Sequence, residues 1–85
     1  MGEEATSVYA YQKDGELMVF ENLLIDQHKD DVQIEVISMS GARVLVKEYA
    51  TSGLHVIPAN LASGIYIVKV SVKGEKPHTV KVVLR

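Results

Sequence analysis

The 85-residue chain has no cysteine, which excludes a disulfide framework and any thiolate metal site. It has no cluster of basic residues either. With a net charge of −2 and a pI near 5.8, it lacks the electrostatic footprint of a nucleic-acid-binding surface. No apolar run approaches the roughly 20 residues that a membrane-spanning helix needs. The N-terminus, Met1-Gly2-Glu3-Glu4-Ala5-Thr6, carries two acids and no hydrophobic segment, so it does not read as a signal peptide. Residues 1–6 are expected to be a flexible tail and residues 7–85 a single domain. Helical periodicity is missing as well: no stretch of ten residues combines apolar spacing of 3.6 with caps.

What is present is a period of two, interrupted by turn residues. Hydrophobic residues make up 47% of the chain and charged residues 24%, which suits a folded core and argues against disorder. Ser7–Gln12 reads as a first strand, Lys13-Asp14-Gly15 as a tight turn, and Glu16–Glu21 as the returning strand. Leu17-Met18-Val19-Phe20 is apolar at every position, so its facing is open. Asp26-Gln27-His28-Lys29-Asp30-Asp31 reads as a loop. Val32-Gln33-Ile34-Glu35-Val36 alternates, placing Val32, Ile34 and Val36 inward and Gln33 and Glu35 toward water. Ser38-Met39-Ser40-Gly41 turns the chain into Arg43–Tyr49, whose inward residues are expected to be Val44 and Val46. Thr51-Ser52-Gly53 turns it again into Leu54–Ile57, which Pro58 ends.

Ala59–Ser63 connects to the longest strand, Gly64–Val72, with Leu61 tucked beneath the sandwich. Tyr66, Val68, Val70 and Val72 share one face of that strand, and Lys69, Ser71 and Lys73 the other. A loop at Lys73–Pro77 leads into His78–Leu84, with Val80, Val82 and Leu84 inward. Seven short strands joined by brief connections have antiparallel neighbours, because a parallel crossover needs a dozen or more residues. The expected fold is an all-β, seven-stranded antiparallel immunoglobulin-like sandwich.

Chemistry is sparse. His28, His55 and His78 lie in separate segments without ligand spacing, so each reads as an exposed strand or loop residue. Asp26, Asp30 and Asp31 lack the alternation and the glycine of a calcium loop and read as solvated. No phosphate cradle, nucleophile elbow or metalloprotease helix occurs. Tyr9, Tyr11, Tyr49 and Tyr66 are the residues from which an aromatic sugar platform would be built. Alternation puts Tyr66 with the core valines and leaves the facing of Tyr9 and Tyr11 open. No catalytic residue, metal, cofactor or small-molecule substrate is expected.

Three segments resemble a known family in order and spacing. Val36-Ile37-Ser38-Met39-Ser40-Gly41-Ala42-Arg43-Val44-Leu45 is similar to the strand–turn–strand segment of the type A C-terminal sorting domain of the Bacteroidetes type IX (Por) secretion system. Asn60-Leu61-Ala62-Ser63-Gly64-Ile65-Tyr66-Ile67-Val68-Lys69-Val70 resembles that family's Gly-x-Tyr segment, and His78–Arg85 its closing strand. The chain departs from the pattern in having no proline before Pro58 and in placing Ala42 between Gly41 and Arg43. The resemblance implies a non-catalytic export address at the end of a larger secreted protein. Such a domain is read in the periplasm by an outer-membrane translocon and in many cargoes is removed by a surface sortase. The residues implied in recognition are Gly41, Gly64, Tyr66 and the outward row Thr79, Lys81, Val83 and Arg85. Plain solvent-facing alternation accounts equally well for that row. An adhesive module binding glycan or protein is the other reading. Edge pairing of two copies is also expected, because the first and last strands carry few protective charges.

Overall fold

The computed structural model describes residues 8–21, 32–49, 53–58, 60–72 and 76–85. Within them the backbone forms β1 (Val8–Lys13), β2 (Glu16–Glu21), β3 (Val32–Ser38), β4 (Arg43–Tyr49), β5 (Gly53–Pro58), β6 (Gly64–Val72) and β7 (His78–Leu84). No helix occurs among the described residues. The expected tail at 1–6 and acidic loop at 26–31 lie outside them.

One sheet has the order β1-β2-β5 and the other β4-β3-β6-β7, with every ladder antiparallel. This is the sandwich that the strand pattern predicts. Its fourth strand hydrogen-bonds to β3, whereas the constant-type immunoglobulin arrangement would put it beside β5.

Local chemistry explains the hairpins. Asp14 (φ 53°) and Gly15 (φ 79°) both take the left-handed conformation of a two-residue turn whose twist matches the flanking strands. That turn sets Lys13 opposite Glu16 and so fixes the whole β1–β2 register. At the β3–β4 hairpin the Gly41 N–H donates to the Ser38 carbonyl at 2.9 Å, and the Ser38 N–H to that of Ala42 at 2.8 Å. Gly41 (φ 94°) supplies the positive dihedral that closes this loop.

The core lies between the sheets. Leu17, Val19 and Ile57 come from the smaller sheet; Val32, Ile34, Val36, Val68, Val70, Val82 and Leu84 come from the larger. Each such side chain stabilises the fold by about 1.5–3 kcal/mol relative to exposure. Val80 and Leu61 pack against this core as expected.

The facing of β4 differs from expectation. Val44 and Val46 are 40% exposed, and the residues packed on the core are Leu45 and Tyr49. A register shift between Val36 and Ile37 is the cause: Val36 pairs with Leu45 but Ile37 with Arg43, so Val44 is taken up in a bulge. In an all-apolar run such as Val44-Leu45-Val46, alternation cannot choose a face, and a one-residue slip inverts it. Glu35 also departs from expectation. It is on the outer face yet buried, covered by an ion pair to Arg43 at 2.7 Å and a longer one to Lys69 at 3.7 Å.

Candidate functional site

The seven residues implied in recognition fall into three groups. Thr79, Lys81 and Val83 are exposed along the outer side of β7, and Arg85 follows them. Because β7 is the edge of its sheet, this row has the ladder on one side only. Across the ladder, Lys81 faces Ile67 and Val83 faces Ile65, so the strand presents cations and apolar groups side by side.

Gly41 and Gly64 sit together at one end of the larger sheet. Ser38 pairs with Tyr66 and Gly64 with Leu84, which brings the β3–β4 turn, the start of β6 and the end of β7 to the same end. Tyr66 belongs to neither group. Its ring is in the core, 7% exposed, and its hydroxyl donates to the Ala62 carbonyl at 2.7 Å. A tyrosine near the start of a strand, bonded back to the backbone a few residues upstream, locks the corner of a sandwich. The Tyr66 side chain therefore holds the corner of the sandwich, and its ring adds little to the accessible surface.

β1 lies beside β7 and completes the surroundings of the row. The Arg85 N–H donates to Gln12 Oε1 at 2.9 Å, and Gln12 Nε2 donates back to the Arg85 carbonyl at 3.4 Å. One amide side chain thus takes both hydrogen-bonding groups of the last residue, as a neighbouring strand would. Above this clamp an open groove of about 420 Å³ is bordered by Tyr11, Gln12, Lys81, Val83 and Arg85.

A second constellation escaped the strand pattern. Glu21 is fully buried, and His55, read as exposed from the sequence, is also buried. His55 Nε2 lies 2.9 Å from Glu21 Oε2, and its ring stacks on Tyr49 with centroids 4.2 Å apart. Glu21 continues the inward series Leu17, Val19 of β2, and His55 precedes inward Ile57 on β5. The apolar alternation therefore carried the signal for both, but the polarity of the side chains argued against it. Burial of Tyr49 raises its phenol above the ordinary 10.0. Among the described residues, no three metal-ligating side chains come together. The pair is thus a paired, hydrogen-bonded interior polar contact.

The tyrosines do not form one platform. Tyr49 and Tyr66 pack toward the core, while Tyr9 and Tyr11 stand on the outer face of β1, with Tyr9 stacked on Phe20 at 6.0 Å.

The described residues form a small two-sheet antiparallel sandwich that exposes Thr79, Lys81 and Val83 on an edge strand of its larger sheet. The family model for the secretion system C-terminal sorting domain matches residues 19–85, and the chain belongs to that family. Its function is that of a C-terminal sorting signal for secretion, and the protein that carries it is exported. The resemblance to a type IX sorting domain, drawn from Gly41, Gly64, Tyr66 and the closing strand, is shown by this match. No curated protein and no solved structure matches the chain.

Proposed function

We propose that the domain is read by the outer-membrane translocon of the type IX system through the outer row of β7, Thr79, Lys81, Val83 and Arg85, with Gly41 and Gly64 shaping the adjoining end. The observation that carries this reading is the exposure of that row on an edge strand in a member of a sorting-signal family. Recognition of a folded address needs shape and charge rather than an active site, and the family is one of sorting signals, not of catalysts. Lys81 and Arg85 supply charge for steering, and Val83 with Ile65 supplies apolar area, the mixture a specific protein contact uses. The address is read in the periplasm, after which the cargo reaches the cell surface and a surface sortase removes the domain.

The test fuses the chain behind a signal peptide and a fluorescent reporter in a host with the translocon. The unaltered domain sends the reporter to the surface. Lys81→Glu with Val83→Asp leaves most of it in the periplasm, at a stability cost of about 1 kcal/mol from the weaker strand preference of Asp. Surface delivery by that double variant, with its fold intact by circular dichroism, overturns the role given to β7.

A further inference from the structure

Gln12 is the polar member of an otherwise apolar inward series. Val8, Ala10 and Gln12 lie on the side of β1 that faces the sandwich, and Val8 and Ala10 pack against the core. Gln12 breaks the pattern where β1 meets the end of β7. There the β6–β7 ladder has run out: its last pair is Gly64 with Leu84, so Arg85 has no ladder partner on β6. The Arg85 N–H donates to Gln12 Oε1 at 2.9 Å, and Gln12 Nε2 donates to the Arg85 carbonyl at 3.4 Å. β1 and β7 belong to different sheets, and among the described residues these are the hydrogen bonds that join one sheet to the other.

We infer that Gln12 is a positioning residue of the address: it holds the Arg85 backbone so that Arg85 continues the outer row of β7. This role rests on the reading of that row as the recognised surface, and it brings a residue of β1 into the site. The family match begins at residue 19, so Gln12 lies outside the matched segment. A strand residue past the end of its ladder has free backbone groups and frays unless something else bonds them. A primary amide carries a donor and an acceptor on one planar group, as a peptide unit does, and so stands in for the missing strand.

The surroundings of the clamp agree. The open groove of about 420 Å³ beside it has Tyr11 and Gln12 on one side and Lys81, Val83 and Arg85 on the other. Lys81 and Arg85 make no ion pair among the described residues, so both charges are available to a partner. Four residues of strand set them about 13 Å apart along the edge, a spacing that holds only while Arg85 continues the strand. Ordering Arg85 before the partner arrives removes part of the conformational entropy that binding would otherwise cost.

Hydrogen exchange and export together test this role. In the 85-residue chain the Arg85 amide should exchange about fivefold more slowly than in Gln12→Met, the factor that one hydrogen bond of ordinary strength supplies. Gln12→Met keeps the length of the side chain and removes its polar head; Gln12→Leu is the second variant, in case the first distorts β1. In the reporter fusion, Gln12→Met should lower surface delivery to the level of Arg85→Ala. The double variant should fall no further, because residue 12 acts through residue 85. A contribution of Gln12 to stability alone would make the two losses add, and additive losses overturn the inference. So does equal exchange of the Arg85 amide with and without the Gln12 amide, or normal delivery of both residue 12 variants or of Arg85→Ala. The reading of the β7 row fails differently, through normal delivery of Lys81→Glu with Val83→Asp. A chain that needs Lys81 and Val83 but ignores residue 12 loses only the clamp.

Discussion

Tyr66 shows how one residue can carry a motif from within the core. Its ring fills the core beside Val68, and its hydroxyl reaches back four residues to the Ala62 carbonyl. Removing the hydroxyl in Tyr66→Phe keeps the ring and loses one hydrogen bond, which should cost about 1 kcal/mol. A urea titration should show this as a lower midpoint at unchanged slope. An unaltered midpoint would mean that the corner is held by packing alone. Glu21 and His55 make the opposite point: two polar groups in an apolar interior, kept there by each other and by the Tyr49 ring. Neither residue announces its burial by type. Both become intelligible once β2 and β5 are seen to turn odd-numbered positions inward.

At the scale of the element, the hairpins were the most legible part of the molecule. Asp14-Gly15 is a turn signal that needs no tertiary help, and both strand ends it joins are where the dipeptide places them. Adding a methyl group at Gly15 meets no atom within 4 Å, so any cost of Gly15→Ala comes from the backbone alone. At φ 79° that cost should be about 1 kcal/mol, read as a drop in thermal midpoint of several degrees. β4 was the least legible element. Its run of Val44, Leu45 and Val46 satisfies either facing, and only the bulge against β3 selects Leu45 and Tyr49 as the inward pair. The outer row of β7 was legible because Val80, Val82 and Leu84 left Thr79, Lys81 and Val83 no other side.

On the scale of the whole molecule, β7 is structural on its inner side and carries the proposed address on its outer one. Its outer row faces solvent while Val82 and Leu84 close the core, and Gly64 pairs with Leu84. Removing residues 81–85 therefore deletes two buried side chains and four of the seven residue pairs of an edge ladder. The truncated chain is expected to be unfolded at 25 °C by circular dichroism, since losses of a few kcal/mol per core side chain exceed what so small a domain can spare. A folded truncated chain would show that the core closes without β7. For this reason point substitutions on the outer row, rather than truncation, are the informative test of recognition.

The sequence by itself determined the seven strands, the turns at Asp14-Gly15 and Ser38–Gly41, the inward faces of β3, β6 and β7, and the family. All of these rest on local rules: alternation of period two, turn residues of special dihedral preference, and short segments in a fixed order. Tertiary structure alone decided which strands share a sheet, that Val44 and Val46 face outward, that Glu35, Glu21 and His55 are covered, and that Tyr9 and Tyr11 stand on the outer face of β1. Each of those depends on a partner distant in the chain, as Glu21 depends on His55, 34 residues away. Burial is a property of what arrives on the other side of a residue, and no local pattern contains it.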